Sequence, residues 1–156
     1  MTRLALTALA GIFLILGFDR FADAHCEVPC GIYGDQMRFE GMLEDTKTVE
    51  KAMAQIVALT KDSDGAQTAN QGVRWVMNKE SHAEKIQHTI AQYFMTQRLK
   101  PAAEGSDGWA VYVSKLTKAH AVMRHAMKCK QTVDTANAAA LRQAILDFHK
   151  AYEGKK

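Results

Sequence analysis

The sequence predicts an all-α protein, folded as an antiparallel four-helix bundle, and three observations support that prediction. Only two of the 156 residues are proline, and residues that favour helices, such as Ala, Lys, Glu, Gln and Met, are abundant. Apolar residues recur at steps of three and four in four separate stretches, which is the period of an amphipathic helix. No stretch of useful length alternates apolar and polar residues as a half-buried strand does.

Each of the four stretches has its own apolar face. The first, residues 35–61, carries Phe39, Met42, Leu43, Val49, Met53, Ile56 and Val57. The second, from about residue 66 to residue 99, carries Val73, Met77, Ile86, Ile90, Phe94 and Gln97. The third carries Trp109, Val113, Leu116, Met123 and Met127, and the fourth carries Val133, Leu141, Ile145, Phe148 and Tyr152. Because the connections are short, we expect neighbouring helices to run antiparallel in a bundle domain of residues 34–156.

The first 24 residues are predicted to be a signal peptide that is removed. Arg3 provides a short positive start, and residues 4–18 form an apolar run too short for a comfortable membrane span. Ala22 and Ala24 are the small residues that signal peptidase reads. Cleavage after Ala24 would export the chain to the periplasm or the medium, without stable membrane association. The alternative is an uncleaved N-terminal anchor.

The charge balance favours a small anionic partner over nucleic acid. Lys and Arg number 20 against 17 Asp and Glu, and the formal charge of +3 is too small for a nucleic-acid-binding surface. A weak positive field does favour the approach of a small anion.

The stretch HCEVPCGIY, residues 25–33, follows the predicted cleavage site and is the candidate metal site, called the hook below. Cleavage gives His25 a free α-amine with a reference pKa of about 7.7–8.0, so that a metal ion displaces its proton easily. The amine, the backbone nitrogen of Cys26 and the Cys26 thiolate can form fused five-membered chelate rings. Cys30 can close a fourth corner, since Pro29 and Gly31 favour a turn there. The His25 imidazole remains as an axial ligand.

This donor set favours nickel or copper over zinc. Two nitrogens and two sulfurs in one plane suit Ni(II) or Cu(II), whereas zinc prefers a tetrahedron. Thiolates and a deprotonated amide are strong electron donors, so they are expected to lower a Ni(III)/Ni(II) potential into the biological range.

Two other interpretations use the same residues. An exported module that sequesters nickel or copper would need the same ligands but no guarded open face. A Cys26–Cys30 disulfide on a helical interaction protein would leave the position of His25 at the cleavage site unexplained. The remaining histidines form no HxxxH or HExxH pair, and Cys129 is expected to be a buried, unreactive thiol.

The hook resembles that of the nickel superoxide dismutase family. The family pattern His-Cys-x-x-Pro-Cys-Gly-x-Tyr is matched by His25, Cys26, Pro29, Cys30, Gly31 and Tyr33. The resemblance implies a four-helix bundle assembled as a homohexamer, with one nickel ion per subunit at the end of the bundle. It also implies the disproportionation of superoxide to dioxygen and hydrogen peroxide through Ni(II) and Ni(III).

The same resemblance implies a role for each hook residue. His25 supplies the amine and the axial imidazole, and Cys26 supplies the amide nitrogen and a thiolate. Cys30 supplies the second thiolate. Tyr33 stands over the open face, where it helps to order water or superoxide. Pro29 occupies a position where the family makes a cis peptide bond.

Residues outside these positions match the family less closely. Glu40 falls near a family glutamate that braces the axial imidazole, and Glu27 replaces the usual aspartate. His82 occupies the place of a helical arginine that joins this brace. Arg98 occupies the place of a second family tyrosine, for which Tyr93, one turn away, could substitute.

Overall fold

A computed structural model of the protein describes residues 34–61 and 65–154, and this part of the chain is helical with short connections. The four α-helices are α1 (Asp35–Leu59), α2 (Gly65–His88), α3 (Trp109–Gln131) and α4 (Ala136–Glu153). A π-helix, Thr89–Arg98, directly follows α2. The predicted signal peptide and the hook lie outside the described residues. No described helix is both long enough and apolar enough to cross a membrane.

The four α-helices pack as neighbours around a common core. α1 packs against α2 and α4, and α3 packs against the same two helices. Asp45 of α1 contacts His82 of α2, and Lys51 of α1 lies over the ring of Trp75 of α2. The later residue of α1 meets the earlier residue of α2, so these helices run antiparallel. The predicted all-α fold with four helices is confirmed for the described residues.

The core places large aromatic side chains near the start of α1. Phe39, Phe94 and Phe148 are almost completely buried, and their ring centroids lie 4.7, 5.4 and 5.0 Å apart. Burial of each phenylalanine contributes about 1.5–3 kcal/mol. Elsewhere the helices turn small side chains inward, which allows close approach of their backbones. These small side chains are Ala52, Ala83, Ala119, Ala126 and Ala138.

The predicted inward face of α2 is right in its second half and wrong in its first. Ile86 and Ile90 are fully buried as predicted, whereas Val73 and Met77 are exposed by 59% and 65%. The inward face is centred on Ala83 and Ile86. With 3.6 residues per turn, Val73 and Met77 lie roughly 100° or more from the centre of that face. Other predicted core residues that are exposed are Val57, Met127 and Val133.

Lys79 is a buried lysine that joins α2 to the end of α3. Its ammonium group donates to the carbonyl oxygens of Cys129 at 2.9 Å, of Thr132 at 3.3 Å, and of Lys130. The last carbonyls of a helix have no partner within the helix, and they form the negative end of its dipole. Lys79 therefore caps α3 from a neighbouring helix.

Candidate functional site

The hook joins the bundle at the start of α1. Tyr33 is bonded to Gly34, which precedes α1 as its N-cap in an extended conformation (φ −62°, ψ 154°). The start of α1, the end of the π-helix and the end of α4 come together here, as the contacts of Asp35 show. This end of the bundle is therefore where the described residues meet the predicted site.

A single carboxylate at this end is held by three side chains. Tyr93 donates its hydroxyl proton to Oδ1 of Asp35 at 2.6 Å. The Arg98 Nη2 group and the Tyr152 hydroxyl both donate to Oδ2 at 2.6 Å. Arg98 Nε also donates to the Tyr152 hydroxyl oxygen at 3.3 Å. These four residues, Asp35, Tyr93, Arg98 and Tyr152, are called the carboxylate clamp below.

The π-helix brings two members of the clamp onto one carboxylate. In a π-helix the backbone N–H bonds five residues back, so residues five apart lie closer to one face of the helix than they do in an α-helix. The Leu99 N–H donates to the Phe94 carbonyl at 2.8 Å, and the Thr96 hydroxyl donates to the Ala91 carbonyl at 2.8 Å. Tyr93 and Arg98 have this same spacing of five.

The hydrogen bonds of the clamp favour an ionised Asp35. Burial alone would raise the pKa of Asp35, but the bonds from Arg98, Tyr152 and Tyr93 outweigh it and hold the pKa below its usual value. Burial and the bond to Asp35 raise the pKa of Tyr93 to about 12, and the same causes raise the pKa of Tyr152. At neutral pH the clamp is therefore a carboxylate that accepts from two neutral tyrosines and one guanidinium.

The clamp rests on the aromatic part of the core. Tyr93 meets Phe94 edge-on with centroids 5.2 Å apart, and Tyr152 meets Phe94 edge-on at 5.3 Å. Phe39, one turn after Asp35, lies 5.6 Å from the Tyr152 ring. Because buried rings are closely packed, both tyrosine hydroxyls have little freedom to leave the carboxylate.

A pocket of about 760 Å³ opens beside the clamp, and Arg98 and Tyr152 line it. Its wall also contains Lys100 and Lys115, and the Lys115 ammonium lies 5.4 Å from the centre of the Tyr152 ring. The other charged lining residues are Asp107 and Glu153. Cationic lining side chains therefore outnumber the anionic ones.

The two predicted bracing residues lie apart from the clamp. Glu40 is exposed, and its carboxylate accepts a hydrogen bond of 2.9 Å from Gln36. His82 Nδ1 lies 2.7 Å from Oδ1 of Asp45, ten residues after Asp35. Ten residues of α-helix span about 15 Å. The structure does not bring Glu40 and His82 into contact, and their roles toward the hook stay predictions.

Sequence reasoning missed two members of the clamp. Asp35 was not singled out, and Tyr152 was assigned only to the core. Their positions at the ends of the first and last helices could have identified them. Asp35 begins the first helix and Tyr152 lies in the last turn of the last helix, and an antiparallel bundle brings these two ends together. For the other two members, the sequence shows Arg98 as a departure from the family pattern and Tyr93 as a substitute for the family tyrosine.

The described residues offer no alternative metal site. Within residues 34–61 and 65–154, no group of three His, Cys, Asp or Glu side chains is placed to hold a metal ion. Burial raises the pKa of the Cys129 thiol to about 11, although the nearby Lys79 ammonium opposes this shift. Cys129 is therefore a thiol rather than a thiolate ligand at neutral pH. The amine, amide and thiolate donors predicted for the hook, in contrast, would suit nickel.

Comparison with known proteins gives one match. A family model described as nickel-containing superoxide dismutase matches residues 20–156, a range that includes the hook and the whole bundle. No curated protein and no solved structure matches the chain.

Proposed function

Because the chain belongs to the nickel-containing superoxide dismutase family, it is a superoxide dismutase with a nickel cofactor, and we propose that residues 25–33 are its metal site. The donor set carries this proposal. The hook combines two cysteines with a histidine that becomes the first residue after cleavage, and such a set of nitrogen and sulfur donors suits nickel. Family membership favours this enzyme over a protein that only sequesters nickel or copper.

Three residues hold the metal ion in this proposal. His25 provides its α-amine and imidazole, Cys26 its backbone nitrogen and thiolate, and Cys30 a second thiolate. The bound ion supplies a one-electron couple between Ni(II) and Ni(III), which suits the conversion of two superoxide anions and two protons to dioxygen and hydrogen peroxide. The thiolates and the amide donate electron density that lowers the potential of this couple.

The other predicted residues serve the substrate and the ligands. Tyr33 orders superoxide or water at the open face of the site. Pro29 and Gly31 shape the turn that returns Cys30 towards His25. Glu40 and His82 brace the His25 imidazole, directly or through other groups. The net positive charge of the chain favours approach of the anionic substrate.

Export and metal binding are one process in this proposal. Residues 1–24 direct the chain to the periplasm or the medium, and their removal after Ala24 frees the α-amine that becomes a ligand. An uncleaved chain therefore lacks one of the nitrogen donors of the proposed metal site.

The enzyme is a homo-oligomer in this proposal, and a hexamer by family resemblance. An exposed apolar stripe on α2 supports an interface with a second copy. Val73, Val76 and Met77 lie on one side of the helix and are exposed by 59%, 42% and 65%. Apolar side chains grouped in this way on a surface are typical of an interaction site.

The proposal is tested by the mass, metal content and activity of the exported protein. We expect a chain that begins at His25, carries one nickel ion and dismutates superoxide. Cys26→Ser and Cys30→Ser should each lose the sulfur-to-nickel absorption and the activity, whereas Cys129→Ser should keep both. A single residue added before His25 should also abolish activity, and full turnover in that form would contradict the role of the amine.

A further inference from the structure

The proposed nickel chemistry uses none of the four residues of the carboxylate clamp. The clamp nevertheless lies next to the hook along the chain. Asp35 lies two residues after Tyr33, so their Cα atoms are at most about 7.6 Å apart. The charged group of Arg98 and the hydroxyls of Tyr93 and Tyr152 all converge on this one side chain. A first helical residue needs no such anchor to begin a helix.

The clamp joins three separate segments at that point. Asp35 is on α1, Tyr93 and Arg98 are on the π-helix, and Tyr152 is on α4. A hydrogen bond to a charged group is stronger than one between neutral groups, and here both carboxylate oxygens are engaged. The direction in which the chain leaves the bundle before residue 35 is therefore fixed by groups from three elements.

The pocket lies directly beside the clamp. Arg98 and Tyr152 bind Asp35 and also line the pocket of about 760 Å³. Residue 34, where the described chain begins, therefore precedes a residue whose side-chain partners line this pocket. The Lys100 and Lys115 ammonium groups in the pocket wall suit a neighbour whose thiolates and deprotonated amide carry negative charge.

We propose that the carboxylate clamp is a positioning device for the hook, which fixes residue 35 and holds residues 25–33 at the mouth of the adjacent pocket. This inference rests on the proposed role of the hook as the nickel site. Asp35, Tyr93, Arg98 and Tyr152 touch neither nickel nor substrate, and they act through the placement of Tyr33 and the ligands that precede it.

The test compares Asp35→Asn with Asp147→Asn in the mature, nickel-loaded protein. Asp147 is an exposed aspartate of α4 whose recorded bond is to Gln143, and it serves as the matched control. Nickel release to a chelator is expected to be about tenfold faster in Asp35→Asn than in wild type, since a hydrogen bond to a charged group is lost. Asp147→Asn should match wild type.

Two further readouts separate positioning from general stability. Hydrogen exchange of residues 25–34 in the metal-free protein should become faster in Asp35→Asn, while exchange in the middle of α3 should not change. Arg98→Lys keeps one charged bond to Asp35 and should retain more nickel than Arg98→Met. These comparisons remain informative if one variant folds poorly.

The outcomes distinguish this inference from the proposed function. A wild-type protein that carries no nickel on residues 25–33 would overturn the proposed function. A loaded and active wild type, with Asp35→Asn and Asp147→Asn alike in nickel release and in hydrogen exchange, would overturn the positioning role alone.

Discussion

The Lys79 ammonium group lies in the protein interior, with 5% of its side chain exposed. A buried charge is costly unless it is paired and hydrogen-bonded. Here the charge bonds to carbonyl groups at the end of α3 and lies 3.2 Å from the Glu80 carboxylate. The lysine and the end of α3 therefore stabilise each other, since each would otherwise leave buried polar groups without partners.

We expect Lys79→Met to lower the free energy of unfolding by about 2–4 kcal/mol, because the carbonyl groups at the end of α3 lose their donor. Urea denaturation followed by circular dichroism measures the change. The matched control is Lys47→Met on α1, where the lysine is exposed. That variant should lose less than about 1 kcal/mol. Equal losses would contradict the capping role of Lys79.

The π-helix is the element that the sequence pattern did not predict. The apolar positions predicted one helix from about residue 66 to residue 99, and Ile90 and Phe94 are buried as expected. Helical periodicity does not distinguish α from π hydrogen bonding over ten residues, because both place apolar side chains at similar steps. The register is fixed instead by distant partners, above all by Asp35, which bonds to both Tyr93 and Arg98.

Two single-residue deletions test whether the π-helical hydrogen bonding is what places Tyr93 and Arg98 on Asp35. Tyr93 and Arg98 are five residues apart, and in an α-helix residues with that spacing point about 140° apart. Deletion of exposed Thr96 leaves a spacing of four, which an α-helix also places on one face. Deletion of exposed Gln92 leaves the spacing at five. We expect the first deletion to keep a higher urea midpoint and slower nickel release than the second.

The reverse order, or equal behaviour of the two deletions, would show that the π register does not serve the clamp.

At the scale of the whole molecule, the sequence predicted the four helices, but not which apolar residues remain outside. Val73 and Met77 have the spacing of a core face, yet both are exposed. Periodicity shows that a helix has an apolar face, but it does not show which surface that face packs against. In this chain α2 packs Ala83 and Ile86 into the core instead. The ligand residues of the hook could be proposed from the sequence because a chelating sequence is local, and they stay a prediction. The clamp could not, because its members are distant in sequence.

The exposed stripe leads to a prediction about assembly. We expect Met77→Glu to lower the mass of the mature protein from that of the proposed hexamer towards that of smaller species, because a buried charge without a partner opposes association. Light scattering coupled to size-exclusion chromatography measures this mass. Met127→Glu, on α3 and 39% exposed, is the matched control and should remain hexameric. A hexamer that survives Met77→Glu would place the interface elsewhere.

The burial of Cys129 has a consequence for the lifetime of the enzyme. Dismutation releases hydrogen peroxide, which oxidises thiolates much faster than thiols. Cys129 is fully buried and its pKa is raised to about 11, so it offers the product almost no thiolate at neutral pH. Of the three cysteines, the proposed nickel ligands Cys26 and Cys30 are then the ones whose sulfur would be a thiolate that peroxide can oxidise. Oxidative damage from repeated turnover would then begin at the proposed nickel site rather than in the helical bundle.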